Sequence, residues 1–191
     1  MRKIAVAITG ASGSIYAARL LEYLRRLREQ LPMEVALVFS ENAPTVWNWE
    51  LQLPLPTDFP TYQVKDYFAP FASGSARYEA LVIIPCSMGT VGRIASGISD
   101  DLITRAADVM LKERRRLILV PRETPLHIGH LENLLRVAQL GAIIVPAAPS
   151  FYTRPTSIEG LVDTVVLRVL DLLSLPVDYP RWGSESPSRS V

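Results

Sequence analysis

Ile4-Ala-Val-Ala-Ile8, running straight into Thr9-Gly-Ala-Ser-Gly13, decides the fold. A short apolar run ended by a turn signal reads as a strand buried on both faces. From Ile15 to Glu29 the period changes: Leu20, Leu21, Leu24 and Leu27 recur at helical spacing among Arg25, Arg26 and Arg28. Strand, glycine turn and helix open a unit whose strands run parallel and whose crossovers are right-handed.

The unit repeats along the chain. Glu34 to Phe39 reads as a second strand and Pro44 to about Leu51 as a short helix. Ala80-Leu-Val-Ile-Ile84, Leu117-Ile-Leu-Val120 and Ala142-Ile-Ile-Val145 read as three further strands. Helical spacing resumes near Val91, from Leu102 to Arg114, from Leu131 to Gln139 and from Ile158 to Leu173. Thr156-Ser-Ile-Glu159 opens the last helix in capping-box form. Between Leu53 and Ser75 the pattern breaks at Pro54, Pro56, Pro60 and Pro70, yet Phe59, Tyr62, Tyr67, Phe68 and Phe71 are too many aromatics for a loose linker. This stretch is expected to be an ordered surface excursion within one domain. There are no internal repeats, and the tail after Pro176 is polar.

Composition narrows the function. A chain of 191 residues at 49% hydrophobic and 20% charged fits one domain with a substantial core. Twenty Lys+Arg against nineteen Asp+Glu leave a formal charge of +1, so no global basic field points to nucleic acid or an anionic membrane. The single cysteine, Cys86, rules out an intramolecular disulfide and suits a reducing cytoplasm. It is expected to be a small buried thiol. The N-terminal apolar run looks like a first strand and not a signal peptide, and no apolar stretch reaches the roughly 18 residues a transmembrane segment needs.

In a parallel sheet ligands bind beyond the carboxyl ends of the strands. The unusual segments sit at such ends: Gly10-Ala-Ser-Gly13, Ser40-Glu41, Pro85-Cys-Ser-Met-Gly-Thr90, Pro121-Arg-Glu-Thr124 and Pro146-Ala-Ala-Pro149. The first offers a helix N-terminus to a phosphate, or is a plain turn. The downstream glycines of a dinucleotide fingerprint are missing, so a mononucleotide fits better. Ser87 and Thr90 supply hydroxyls and Gly89 close backbone approach. Asp101, Arg105, Asp108 and Lys112 share one helical face, either as a solvated ion-pair ladder or as cations braced to grip an anion. Arg122 can fork onto a phosphate or carbonyl, and Glu123 can move a proton if its environment tunes it; the two together also read as a surface ion pair. Arg168, at the margin of an apolar face with Asp163 and Asp171 pointing elsewhere in helical projection, needs a partner or must snorkel. His127-Ile-Gly-His130 spells the class I aminoacyl-tRNA synthetase signature, but after the fourth strand instead of the first, so it is set aside. No third ligand accompanies the two histidines as a metal pair.

Seven pieces in order resemble the UbiX/Pad-type flavin prenyltransferase family: Thr9-Gly-Ala-Ser-Gly13, Cys86-Ser-Met-Gly-Thr90, the stretch from Arg105 to Arg115, Val120-Pro-Arg-Glu-Thr-Pro125, His130-Leu-Glu-Asn133, Phe151-Tyr152 and Arg181-Trp-Gly183. The resemblance implies a flavodoxin-like (Rossmann-like) three-layer α/β fold with a mainly parallel sheet. It implies a flavin-binding domain over 1–183, followed by a polar tail over 184–191. It also implies a homo-oligomer, usually a dodecamer, with sites at subunit interfaces. The implied reaction joins the dimethylallyl group of dimethylallyl phosphate to reduced FMN, first at N5 and then at C6. The product would serve UbiD-type decarboxylases, with no metal required.

By the same resemblance Gly10, Ala11, Ser12, Ser40, Ser87, Met88, Gly89, Thr90 and Arg122 match FMN-binding positions. Lys112, Tyr152 and Arg168 match those that hold the prenyl phosphate, with Arg105 nearby and Trp182 as a covering aromatic. Ser12, Glu50, Glu123 and Lys112 are the implied catalytic groups. Thr153, Asp101 and His127-Ile-Gly depart from the family pattern, and Trp47 and Trp49 are unusual beside Glu50. Three other readings compete: an FMN-dependent cysteine-decarboxylase type, a non-catalytic flavin carrier and an NAD-dependent reductase. The first expects an early histidine and a Pro-Ala-Ser-Ala-Asn-type stretch, and the last a Tyr-x-x-x-Lys pair; neither feature occurs in the sequence.

Overall fold

The computed structural model describes residues 1–178. The buried apolar runs form the expected strands: β1 (Arg2–Ile8), β2 (Met33–Phe39), β4 (Ala80–Cys86), β5 (Arg116–Pro121) and β6 (Ile143–Ile144). One further strand, β3 (Thr61–Tyr62), lies inside the Pro-rich excursion and pairs with β2. At two residues it carries no periodicity a sequence could show. All pairings are parallel, in the order β3-β2-β1-β4-β5-β6.

Helices cover both faces, giving the three layers expected. On one face α1 (Ser14–Arg28) and α6 (Ile158–Leu172) press Leu20, Leu24, Val165 and Val169 onto Ile4, Val6 and Leu37. On the other, α3 (Met88–Ala95), α4 (Leu102–Lys112) and α5 (Ile128–Gln139) cover Ala5, Leu81, Ile83 and Leu119. Each fully buried large aliphatic contributes about 1.5–3 kcal/mol by its removal from water. The α2 helix (Ala43–Leu51) sits at the carboxyl end of β2 and sends Trp47 into the core, edge-on to Phe39 at 6.1 Å, while Trp49 points outward.

The excursion is ordered, as its aromatics required. Phe71 is fully buried between Tyr62 and Tyr78, with ring centroids 5.4 and 5.5 Å away. Asp58 is held by Arg25 and Arg28, whose guanidinium groups also lie over Phe59.

One cap and two helix starts differ from the sequence reading. The α6 N-cap is Ser157, whose hydroxyl accepts from the Gly160 N–H, so the Thr156–Glu159 box does not form. Helix α3 begins at Met88 because Ser87 caps it, and α5 begins at Ile128 because the His127 ring Nδ1 accepts from the Gly129 N–H. In α3 and α5 side-chain capping extends the helix ahead of its first periodic apolar residue.

Candidate functional site

The sheet order reverses at β1, whose neighbours are β2 and β4. Such a switch point splays the two flanking loops apart and leaves a crevice between them. Thr9 ties its floor together. Its buried hydroxyl donates to the Pro85 carbonyl at 2.7 Å and accepts from the Ser87 N–H at 2.8 Å. The Arg122 N–H donates to the Cys86 carbonyl at 3.3 Å, aligning the β5 exit with the β4 exit. The strand-end segments singled out in the sequence therefore converge on one edge of the sheet.

The glycine turn does something other than expected. Gly13, at φ 111, turns the chain into α1, and a Cβ on Gly10 would lie 2.9 Å from the Asn42 Cβ. Two of the N–H groups at the α1 N-terminus are already taken. Glu50 accepts from the Gly13 N–H at 3.0 Å and from the Ser14 N–H at 2.7 Å. A carboxylate of this chain, not an open cradle, meets the helix dipole there. Burial alone would raise the Glu50 pKa, but hydrogen bonds from the Ser12 hydroxyl and the Ser14 and Gly13 N–H groups outweigh it and hold it below the ordinary 4.5. Glu50 is thus an anion at neutral pH, with Ser12 as its neighbour.

Beyond Gly10 opens a cavity of about 370 Å³. Gly10, Ser40 and Asn42 form one wall, and Ser87, Thr90 and Arg93 the opposite one. Glu41, Val64, Lys65, Asp100 and Asp101 complete it. The Ser87 and Thr90 hydroxyls are hydrogen-bonded at 3.0 Å, and Ser87 Oγ accepts from the Thr90 N–H. A Cβ on Gly89 would meet nothing within 4 Å, so this helix start is open to an approaching group. Met88 is buried in the core and can offer a ligand only its backbone.

The Asp101 to Lys112 series is not a ladder. Asp101 is the buried N-cap of α4, accepting from the Thr104 N–H at 2.8 Å and pairing with Arg93 at 2.5 Å. Burial pushes its pKa up, but the Thr104 N–H and Arg93 pull it down further, so it is lowered overall. Only Arg105 and Asp108 pair along the face, at 3.3 Å, and Arg105 also donates to the Ala72 carbonyl. Lys112 lies about 16 Å from Asp101 along α4, at 1.5 Å per residue, where the chain turns into the start of β5. Its ammonium is 3.8 Å from Glu113.

Arg168 is likewise far from the crevice. Contrary to the helical projection, Asp171 does reach it, with Nη1 donating to Oδ2 at 2.6 Å. The α6 end just beyond is pinned to the amino edge of the sheet, where Arg2 and Arg116 donate to the Leu173 carbonyl. Asp163 pairs instead with Arg19 on α1.

Tyr152 sits half-exposed in the loop after β6, on the crevice side of the sheet. Arg122 and Glu123 share that edge but do not pair with one another among the described residues; the Glu123 carboxylate accepts from the Thr124 N–H instead. Cys86 is fully buried, and burial pushes its thiol up to about 12, which leaves it inert as a nucleophile. His127 and His130 stack at 3.6 Å, and His127 serves as a helix cap. Trp182 and Arg181-Trp-Gly183 lie outside the described residues, as does the division at residue 183. Lys65 and Arg93 were missed in the sequence, because neither lies at a strand end and their approach to the crevice is set by tertiary contacts.

The comparisons with known proteins agree with this geometry. Residues 1–170 match the Flavoprotein family. The flavin prenyltransferase UbiX of Methanocaldococcus jannaschii is 45% identical over 189 residues, covering 95% of this chain and 99% of that protein. A crystal structure of AnUbiX (PadA1) in complex with FMN and dimethylallyl pyrophosphate superposes with a TM-score of 0.90 at 44% identity, over 97% of this chain and 99% of that one. A dodecameric FMN-dependent UbiX-like decarboxylase from Escherichia coli O157:H7 gives 0.87 at 40% identity, over 96% and 100%. A six-stranded parallel sheet with its crevice at the β1/β4 switch point, and full-length likeness at this level, make the chain a member of the UbiX flavin prenyltransferase family.

Proposed function

We propose that the chain transfers the dimethylallyl group of dimethylallyl phosphate to reduced FMN, at N5 and then C6. The observation that carries this reading is the cavity of hydroxyls, open helix start and cations at the switch point, adjoining an ionised Glu50. Bound reduced FMN supplies the nucleophilic nitrogen and carbon. Ser40, Ser87, Thr90 and the Gly89 backbone hold it, with Gly10, Ala11, Ser12 and Arg122 along the rim. Glu50, fixed by two backbone N–H groups, is placed to hold or receive a proton, and Ser12 relays to it. Glu123 is a second acid at the same edge.

Departure of the prenyl phosphate requires cations on its oxygens. Lys112, Arg168, Arg105 and Tyr152 are the groups for that task, with Trp182 covering the site. Since Lys112 and Arg168 lie at the far edge of their own sheet, a neighbouring copy must bring them to the crevice. The exposed apolar residues of α5 (Ile128, Leu131 and Leu135) support such an assembly, a homo-oligomer of dodecamer type. Among the described residues no helix is long and apolar enough to cross a membrane. We place the enzyme in the cytoplasm, with a UbiD-type decarboxylase as recipient of its product.

The test is anaerobic incubation of the purified protein with reduced FMN and dimethylallyl phosphate, followed by mass analysis of the extracted flavin. A flavin heavier by one prenyl unit is expected. Unmodified flavin with both the mono- and the diphosphate donor would contradict the reading and favour a decarboxylase or a carrier.

A further inference from the structure

The α1 N-terminus cannot serve the flavin phosphate well. Glu50 already neutralises it, and a dianion placed there would meet a carboxylate at hydrogen-bond range. The 370 Å³ cavity on the other side of Gly10 is lined by the cations Lys65 and Arg93 as well as by Glu41, Asp100 and Asp101. The Lys65 ammonium donates to the Asp100 backbone carbonyl at 3.0 Å, and among the described residues it forms no salt bridge. It is thus a cation of the cavity lining that no carboxylate pairs directly, although Glu41 lines the same cavity. Arg93 differs: Nη1 binds Asp100 at 2.9 Å and Asp101 at 2.5 Å, so its charge is cancelled and its orientation set. That leaves Nη2 beside Thr90 Oγ1, at 3.4 Å, on the cavity wall. Apart from the glycine, Val64 is the one apolar residue lining the cavity. An isoalloxazine ring needs apolar surface, whereas a ribityl phosphate needs hydroxyls, N–H groups and positive charge.

We propose that Lys65 is the cation that binds the terminal phosphate of the flavin in this cavity, with Arg93 as a positioning residue locked by Asp100 and Asp101. Lys65 supplies a positive charge that is not tied up in an ion pair among the described residues. Arg93 holds Thr90, and through it Ser87, in place for the phosphate oxygens. The ring then lies on the Glu50 and Arg122 side of Gly10. This assignment rests on the flavin-binding reading of the site and adds the residues that select a phosphorylated flavin.

The experiment compares FMN with riboflavin, which differs by the phosphate alone, titrated into the full-length protein by flavin fluorescence. Lys65→Met is made on an exposed loop side chain, so its fold should survive. It is expected to weaken FMN on the order of tenfold or more, as loss of a charge-assisted contact does, with riboflavin changed less than about twofold. Arg93→Lys keeps a cation but not the fork that reaches the two carboxylates through Nη1 and Thr90 through Nη2, and should lower the FMN-to-riboflavin preference by a smaller factor. An unchanged preference in Lys65→Met overturns the proposal. So does equal weakening of both flavins, which would make Lys65 a shaper of the cavity and not a phosphate ligand. Failure of the unaltered protein to bind either flavin would instead defeat the flavin-binding reading itself.

Discussion

The two edges of the sheet, to which we assign the two halves of the proposed chemistry, are built differently. At the carboxyl edge, Thr9, Ser40, Ser87, Thr90, Arg122 and Glu50 converge through backbone hydrogen bonds and a shared crevice. At the amino edge, Lys112 and Arg168 stand on separate helices on opposite faces, each about half exposed and each beside a carboxylate of its own chain. The first set lies together within one chain. The second is a pair of cations that one chain displays but cannot deliver, because the sheet separates them from the pocket. An interface can unite what a single fold holds apart, and this is the lesson of the difference.

Breaking the amino-edge set should have the largest effect. Lys112→Ala and Arg168→Ala are expected to slow prenylation by about 10²-fold or more, the scale for losing a preorganised charge on a leaving group. FMN affinity in a fluorescence titration should stay unchanged, because the flavin pocket lies elsewhere. Loss of FMN in either variant would break the comparison. Glu50→Gln comes next. It should lower turnover by about 10²-fold in a single-turnover mass assay if the group moves a proton. An equal rate would leave Glu50 as a mere helix cap.

Gly89→Leu tests the open helix start. It should weaken FMN more than about tenfold by filling the space the ligand needs, while the melting temperature stays unchanged because the side chain meets nothing in the fold. Thr9→Val removes the tie between the loops of β1 and β4. Two hydrogen bonds to buried backbone groups go, so a loss of about 1–3 kcal/mol in a denaturant titration is expected.

The smallest effect is on pH dependence. Glu50 has a lowered folded pKa, so its stabilisation is fully present above the ordinary 4.5 and fades as pH falls through the lowered value. Stability should therefore drop less between neutral pH and acid in Glu50→Gln than in the unaltered chain. Parallel curves would show that Glu50 contributes nothing to the α1 terminus.

How much of this was legible in the sequence follows from the range of the contacts. The buried strands, the glycine turn and the helix faces are local patterns, and they are found where the apolar periodicity puts them. The hydroxyls of Ser87 and Thr90 were legible because they sit directly after a strand. Three things were not. Glu50 reaches the α1 N-terminus from 36 residues away, so an apparently open phosphate cradle proved to be filled. Lys65 enters the cavity because the Leu102 N–H donates to the Val64 carbonyl and Lys65 itself donates to the Asp100 carbonyl, across 35 residues. Asp101 fell on the Arg105 face in helical projection, but as an N-cap it has extended backbone and turns its carboxylate toward Arg93 instead. Projection assumes a helical residue, and a cap is not one.

The central claim is that each site takes its flavin pocket from one copy and its phosphate-binding cations from another. Co-expressing Glu50→Gln and Lys112→Ala chains tests it most directly, by measuring prenylation in the mixed assembly against each variant alone. If the groups come from different copies, random assembly leaves about a quarter of the sites with both native groups, and activity returns to about that share of the unaltered enzyme. A mixture no more active than its parents would contradict the account, since it would mean that Glu50 and Lys112 act within one chain.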